Sequence, residues 1–475
     1  MKKTVVINVV GLTQRLLGPD TPSLSDWARR GKVIPIKAVT PAVTCTAQAT
    51  YLTGSWPERH GIVGNGWYFR DECEIKFWRQ SNKLVQAPKV WEIARAIDPD
   101  FTCANLFWWF NMYSTVDIAL TPRPMYPADG RKIPDIDTRP GTIRKQIQDE
   151  LGPFPLFNFW GPATSIQSTR WIAEAAQWID RRHHPTLTLV YLPHLDYNLQ
   201  RRGPDDPRLA RDLREVDDVC SDLIRYYGET GAQIVLLSEY GITPVRRPIH
   251  LNRIFREQGW IALREELGLE LLDPGGSAVF AVADHQVAHV YINDPDKIAP
   301  VRRLLEKIPG IEQILDEEGK RRRHINHGRA GELIAIAAAD AWFTYYYWRE
   351  DRRAPDFART VDIHRKPGYD PIELFIDPAL SFPKLKIGGR LLQKALGFRT
   401  LLDIIPLDAT LIQGSHGRVT DLDEAGPLFI TQRPDLVSAD SLHATDVADQ
   451  ILLHLGMERR EKTFPPTAAA HPSLR

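Results

Sequence analysis

The stretch that decides the fold reads PAVTCTAQATYLTGSWPERHGIVGN and runs from Pro41 to Asn65. Thr44 is placed to cap a helix over Cys45 to Thr53, and Gly54 ends that helix at the C′ position. A helix N-terminus concentrates free backbone N–H groups and the positive end of the dipole, so a phosphate group can dock beside the Thr44 hydroxyl. Thr44 is therefore a candidate covalent nucleophile, and simple helix capping is the alternative.

The bulk composition limits the class of protein. The chain has 475 residues, enough for one large α/β domain with an insertion or for two domains, and 60 basic residues balance 60 acidic ones. This balance predicts no nucleic-acid and no membrane partner, and no apolar run is long enough to span a bilayer. The unpaired spacing of the cysteines disfavours a zinc cluster or disulfide framework and favours a reduced, cytoplasmic protein; they are Cys45, Cys73, Cys103 and Cys220.

Apolar runs alternate with amphipathic segments, as expected for an α/β fold with a mostly parallel central sheet and helices on both faces. The first run, Thr4–Val10, is predicted to be a buried strand and not part of a signal peptide. Polar residues follow several strands, and in such a sheet those strand ends meet at one edge. The other predicted strands are Phe101–Phe110 (in part), Thr186–Leu192, Gln233–Leu237, Val287–Ile292 and Leu333–Ala338, and the predicted helices are Ser165–Arg182, Arg208–Glu229, Asn252–Gln258 and Pro300–Ile308.

Domain boundaries are predicted where this pattern changes. Residues 1–268 are expected to form the first part of the core, 269–325 a small α+β insertion, 326–430 the second part of the core, and 431–475 a C-terminal helix with a flexible tail. The proline-rich segment Tyr113–Pro162 is expected to be an irregular lid or wall. Aromatic residues cluster from Trp56 to Trp109, which indicates either core packing or a substrate wall.

The opening stretch resembles the nucleotide pyrophosphatase/phosphodiesterase family of the alkaline phosphatase superfamily. Its TG-x-x-P-x-x-HGI-x-GN run is the most specific part, and LDYNLQRRGP, SEYG and GSHG follow in the family's order, so that the likeness covers most of Lys3–Arg418. The resemblance implies an alkaline phosphatase-like core that hydrolyses phosphodiesters, pyrophosphates or phosphonates. It also implies a Thr or Ser nucleophile and two divalent metals, usually zinc.

Carried over by position, the resemblance makes Thr44 the nucleophile and implies a set of metal ligands in which four positions differ from the family. The set is Thr44, Asn8 (Asp in the family), Asp196, Gln200 (His), Glu239 and Tyr240 (Asp-His), and His416, with His364 as a rival for the last position. An Asn8 that only hydrogen-bonds within the fold is the alternative for that residue. Oxygen-rich ligands suit magnesium, manganese or calcium better than zinc, so one metal, a harder metal pair and no metal all stay open.

Further residues can complete such a site. His285 and His289 are four apart and share a face on a helix or on a strand, and Asp284 and His194 are also candidate ligands. Hydrogen-bonded structural histidines are the alternative. Gln48 and Asn65 are candidate donors to phosphoryl oxygens, or ordinary helix and turn residues.

Two function classes follow. The first is a metal-assisted hydrolase of small phosphorylated substrates that forms a phosphothreonine at Thr44. The second is an altered or inactive family member that binds a phosphorylated ligand without hydrolysis, motivated by the changed positions Asn8, Gln200, Glu239 and Tyr240. Cys45 also lies at the helix start, but its side chain is expected to point away from that of Thr44, so a cysteine nucleophile is disfavoured.

Overall fold

The computed structural model describes residues 1–458, and the predicted flexible tail falls largely outside these residues. Its main feature is a nine-stranded sheet, which confirms the predicted α/β fold class. In order across the sheet, the strands are Leu442–His443, Lys32–Lys37, Leu428–Thr431, Gln233–Leu237, Thr4–Val9, Leu187–Leu192, Cys103–Leu106, Ile118–Pro122 and Ile136–Arg139.

The middle of this sheet is parallel. Thr4–Val9 pairs in parallel with Leu187–Leu192 on one side and with Gln233–Leu237 on the other. Every residue of Thr4–Val9 and of Leu187–Leu192 is buried, as their apolar and β-branched composition predicts. The carboxyl ends of the three strands consequently meet at one edge of the sheet.

Helices contribute large apolar side chains to the same core as the strands, among them Trp91, Trp178 and Val216. The helix Ile166–His183 begins where Ser165 accepts a hydrogen bond from the backbone N–H of Gln167, an ordinary N-cap. In residues 1–458 the α-helices are Pro22–Arg30, Thr44–Thr53, Pro57–His60, Val90–Ile97, Thr142–Leu151, Ile166–His183, His194–Arg202, Leu209–Glu229, Leu251–Glu257, Ile298–Leu305, Glu317–Arg322, Pro383–Ala395 and Val447–His454.

A second sheet has four strands and packs beside the Thr44 helix. Its order is Val279–Asp284, Val287–Ile292, Leu333–Ala337 and Ile311–Leu315. The sequence places Leu333–Ala338 in the core sheet, and this is wrong: an apolar run shows that a strand is buried but not which sheet it joins. The domain boundaries at 269 and 325 stay a prediction.

The remaining strands form two-stranded sheets. They pair Gly66–Phe69 with Glu74–Phe77, Thr243–Pro244 with Gly414–Ser415, Arg247–Ile249 with Ala341–Phe343, and Ala262–Glu266 with Leu269–Asp273.

The proline-rich segment Tyr113–Pro162 is more regular than its composition predicts. It supplies the edge strands Ile118–Pro122 and Ile136–Arg139 of the main sheet and the helix Thr142–Leu151. Ile136–Arg139 pairs antiparallel at the sheet edge, where prolines next to a strand disturb few ladder hydrogen bonds. The expectation of an irregular lid is therefore wrong for these parts of the segment.

No helix within residues 1–458 combines the length and the apolarity needed to cross a membrane. The expected cytoplasmic location stays a prediction.

Candidate active site

The Thr44 helix begins one residue earlier than the sequence predicts. Val43 is the extended N-cap residue, with φ −131° and ψ 156°, and Thr44 is the first residue of the helix Thr44–Thr53. The Thr44 hydroxyl does not cap the helix; its Oγ1 lies 3.1 Å from the hydroxyl of Tyr240. Gly54 ends the helix with φ +62°, as predicted. The hydroxyl of Thr44 is thus directed toward the strand ends.

Tyr240 joins Thr44 to Asp196. The Tyr240 hydroxyl donates to Asp196 Oδ1 at 3.2 Å. Because a phenol has one proton, Thr44 must be the donor in its own contact with Tyr240. Gln200 Nε2 donates to the other oxygen, Asp196 Oδ2, at 2.7 Å. Burial raises the pKa of Asp196 to about 7, and it also raises the pKa of Tyr240 well above its ordinary value.

Glu239 forms the second acidic centre. Its Oε1 accepts hydrogen bonds from Asn8 Nδ2 at 2.6 Å and from Gln48 Nε2 at 2.5 Å. Burial raises the pKa of Glu239 to about 8, although these two donors act in the opposite direction. The other oxygens of this pair, Glu239 Oε2 and Asn8 Oδ1, are buried and have no hydrogen-bond partner among the described residues.

Four aromatic rings stack in a column beside Asp196. Tyr240 stacks on His416 with 3.6 Å between ring centroids, His416 lies 3.7 Å from His285, and His285 lies 3.6 Å from Tyr369. Burial lowers the pKa of both histidines well below the ordinary value, so both imidazoles are neutral. His416 Nδ1 donates to the backbone carbonyl of Ala42 at 2.8 Å. Its Nε2 therefore carries no proton and presents a lone pair, and this atom lies 3.9 Å from Asp196 Oδ1.

Asn65 connects the helix start to the second sheet. Its Oδ1 accepts from the backbone N–H of Cys45 at 3.0 Å, while its own N–H groups donate to both oxygens of Asp284 at 2.7 and 3.0 Å. Asp284 Oδ1 also lies 2.8 Å from His285 Nδ1. The predicted role of Asn65 and Gln48 as phosphoryl donors stays a prediction, since both amides are already engaged in building the site.

Other candidates lie elsewhere. His289 is not on the same face as His285, because His285 sits in the hairpin turn with φ +61°, and both ring nitrogens of His289 bond to backbone groups of Val63 and Gly331. His364 Nδ1 lies 3.5 Å from the backbone carbonyl of Phe77. Burial raises the pKa of the Cys45 thiol, which opposes a thiolate nucleophile.

Two site residues were missed by sequence reasoning. The Tyr369 hydroxyl donates to Gln200 Oε1 at 3.1 Å, and the backbone N–H of Trp109 donates to Gln48 Oε1 at 2.5 Å. Trp109 belongs to the aromatic cluster Trp56–Trp109, which the sequence predicts to be core packing or a wall of the substrate site. Tyr369 follows a Pro-Gly pair, and no motif or residue spacing in the sequence relates it to Gln200.

The donor set does not fit the two-zinc centre that the family resemblance implies. Gln200 directs its N–H to Asp196 and its Oε1 accepts from Tyr369, while Tyr240 is a protonated phenol. Both are weak neutral oxygen ligands, and neither supplies the nitrogen that zinc prefers. The unpartnered oxygens Asn8 Oδ1 and Glu239 Oε2, beside the hydroxyl of Thr44, do fit a single oxygen-coordinated cation.

A separate cluster in residues 1–458 also has metal-ligand chemistry. His194, Asp212 and Glu215 offer ligand atoms within 4.8 Å of one another. Asp212 and Glu215 are not among the predicted ligands, and both lie on the helix Leu209–Glu229.

Comparisons with known proteins place the chain in a family. Residues 4–370 match the model of the type I phosphodiesterase/nucleotide pyrophosphatase family. An uncharacterised pyrophosphatase/phosphodiesterase of Schizosaccharomyces pombe is 27 % identical over 245 residues, a match that spans 50 % of this chain and 44 % of the yeast protein.

Solved structures show the same fold. Murine ectonucleotide pyrophosphatase/phosphodiesterase 5, in an inactive form in complex with AMP, has a TM-score of 0.59 at 14 % identity, covering 97 % of this chain and 96 % of that chain. Phosphonoacetate hydrolase from Sinorhizobium meliloti in complex with phosphonoformate has a TM-score of 0.61 at 17 % identity, covering 96 % of each chain. The chain therefore belongs to the type I phosphodiesterase/nucleotide pyrophosphatase family, as its opening stretch indicates.

Proposed function

We propose that this protein hydrolyses small phosphoric esters with Thr44 as the covalent nucleophile. The observation that carries the proposal is the hydrogen-bonded series from Thr44 Oγ1 to Tyr240 and on to Asp196, with contacts of 3.1 and 3.2 Å. It places an acceptor for the Thr44 proton at the start of a helix, where a phosphoryl group is favoured.

The chemical step forms a bond between Thr44 Oγ1 and phosphorus and breaks the bond from phosphorus to the leaving oxygen. The Thr44 proton passes to the Tyr240 oxygen as the Tyr240 proton passes to Asp196, so the phenol is unchanged overall. The leaving oxygen departs as its anion. Water then attacks phosphorus and releases one proton to solvent, the bond from phosphorus to Thr44 Oγ1 breaks, and the proton on Asp196 returns through Tyr240 to restore the hydroxyl. The neutral imidazole of His416, stacked on Tyr240, holds that ring in place.

A divalent cation fits this proposal at Asn8, Thr44 and Glu239, and magnesium or manganese match the oxygen ligands better than zinc. When bound, such a cation neutralises charge on phosphoryl oxygens. Asn8 and Gln48 position the Glu239 carboxyl for that role through their hydrogen bonds to its Oε1.

The proposed substrate class is a small phosphorylated molecule. The structural relatives were solved with AMP and with phosphonoformate, which share a compact phosphoryl or phosphonyl group. The test uses bis(p-nitrophenyl) phosphate and p-nitrophenyl phosphate with added magnesium, manganese or zinc. Thr44→Ala should lower the turnover number by about a thousandfold or more, whereas Thr44→Ser should retain activity.

Thr53→Ala is the matched control, because Thr53 is buried in the same helix and its hydroxyl donates to the carbonyl of Ala49, one turn earlier. It should keep wild-type turnover. Full activity of Thr44→Ala would overturn the nucleophile assignment.

The second candidate function is binding of a phosphorylated ligand without hydrolysis. It is favoured by the closed site: Thr44 is only 4 % exposed, and the Asp196 oxygens are both engaged by protein donors. Absence of hydrolysis with every added metal, together with saturable binding of AMP, would favour this function over the first.

A further inference from the structure

The segment of residues 382–402 has its apolar side chains on the outside of the molecule. It contains the helix Pro383–Ala395 and the turn that follows. Scattered exposed apolar residues are ordinary, but a dense group of them marks an interaction surface. Six large apolar side chains of this segment are 55–72 % exposed, namely Phe382, Leu385, Leu391, Leu392, Leu396 and Phe398.

The polar face of the same helix is turned toward the protein. Lys386 Nζ donates to Asp403 at 2.9 Å, and Arg390 pairs with the same carboxylate at 3.1 Å. Ile387, between them, packs against the core cluster that contains Trp342. An amphipathic helix of a globular protein normally buries its apolar stripe, so this orientation is reversed.

The charges of the segment are all positive. Residues 382–402 contain five Lys and Arg residues and no acidic residue. Lys386 and Arg390 pair with Asp403, and Lys394 is half-buried one turn further along the same helix face. Lys384 and Arg399 are exposed with the leucines. Arg399 also donates to the carbonyl of Ala128, which fastens the end of the segment to the neighbouring loop.

We propose that residues 382–402 bind an anionic phospholipid surface, with the helix lying in the plane of the interface. An outward apolar face accompanied by basic residues is the chemistry of interfacial helices: the leucines and phenylalanines enter the acyl boundary while the cations meet lipid phosphates. The protein as a whole is electrically neutral, so the attraction is local to this segment. The inference does not depend on the proposed phosphoester chemistry.

The test is co-sedimentation of the full chain with vesicles. Vesicles of phosphatidylcholine mixed with phosphatidylglycerol should bind the protein, and vesicles of phosphatidylcholine alone should bind it much more weakly. The triple variant Leu385→Gln, Leu392→Gln, Leu396→Gln should weaken binding by about a hundredfold or more. Lys384→Gln, which removes an exposed cation, should weaken it by about fivefold, and added salt should also weaken binding.

The matched control is the triple variant Ile97→Gln, Leu267→Gln, Leu422→Gln, which replaces exposed apolar residues outside the segment and should bind as the wild type does. Failure of the wild type to bind mixed vesicles would overturn the proposal, as would wild-type binding by the helix variant. A wild-type dimer that becomes monomeric in the helix variant, measured by light scattering, would identify the segment as a contact between two copies and would also overturn it.

Discussion

Replacing Lys366 by methionine should destabilise the protein strongly. Lys366 is fully buried, and its Nζ lies 2.8 Å from Asp370 Oδ2 and 2.8 Å from Glu373 Oε1. Both carboxylates are buried as well, so one cation serves two acids in a medium of low dielectric constant. Methionine preserves much of the side-chain volume and removes only the charge and its hydrogen bonds.

The loss of stability in Lys366→Met depends on which hydrogen bonds the two carboxylates, Asp370 and Glu373, keep in the variant. Glu373 keeps hydrogen bonds from Trp160 Nε1 at 2.5 Å and from the backbone N–H of Asp362 at 2.9 Å. Asp370 loses its strongest partner, and burial already raises its pKa in the presence of Lys366. Loss of one partner from a buried ion pair costs about 3–5 kcal/mol, so we expect about 4 kcal/mol for Lys366→Met, a large share of a typical stability of about 5–15 kcal/mol.

Urea unfolding followed by tryptophan fluorescence measures this loss. The difference from wild type should be smaller at about pH 5 than at about pH 8, because a carboxyl left unpaired has a folded-state pKa above its unfolded value and is destabilising only once pH rises enough to ionise it. Lys145→Met, at an exposed pair with Asp149, should change the unfolding free energy by less than about 0.5 kcal/mol. A loss below about 1 kcal/mol for Lys366→Met, or one independent of pH, would refute the reasoning.

Three further predictions concern the candidate site. In protein treated with chelator, the melting temperature should fall as pH rises from about 4 to about 8. Burial raises the folded-state pKa of Asp196 to about 7 and that of Glu239 to about 8, so the folded protein loses stability as these two acids ionise. A melting temperature that calorimetry finds constant over this pH range would contradict the prediction. The double variant Gln200→His, Tyr240→His should bind zinc at least about tenfold more tightly in calorimetric titration, because two imidazole nitrogens, which zinc prefers, replace an amide and a protonated phenol. Unchanged zinc affinity would count against the conclusion that Gln200 and Tyr240 are poor zinc ligands. Asn65→Ala should cost about 2–3 kcal/mol in urea unfolding, since it leaves the buried N–H of Cys45 without its acceptor and removes the amide donor to Asp284 Oδ1. An unfolding free energy equal to that of the wild type would exclude that role.

Predictions from the sequence were confirmed where a local apolar pattern decides whether a strand is buried. The apolar strands Thr4–Val9 and Gln233–Leu237 are buried in the middle of the main sheet, and their carboxyl ends bring Asn8 and Glu239 within hydrogen-bond distance of each other. The parallel pairing of these strands explains why polar residues more than two hundred positions apart could be expected together.

Predictions from the sequence were wrong or incomplete where the contacts or orientation of a side chain depend on residues that are distant in the chain. The role of Thr44 as a cap was wrong because the helix begins one residue earlier, with Val43 as the N-cap residue, and the Thr44 hydroxyl contacts Tyr240, which is distant in the chain. His285 was expected to share a face with His289, but the hairpin between the two strands of the second sheet turns at His285. Tyr369 was missed because its connection to Gln200 exists only in the folded chain.

The sequence alone determined the α/β class, the strand ends that supply the site and the family, because apolar periodicity and the Pro41–Asn65 stretch are local properties of the chain. Only the tertiary structure decided which donors each carboxylate receives and which way the basic, leucine-rich helix Pro383–Ala395 faces. An amphipathic stripe has the same sequence whether it is covered or exposed, and a hydrogen bond between distant residues forms only when the fold brings its two atoms together.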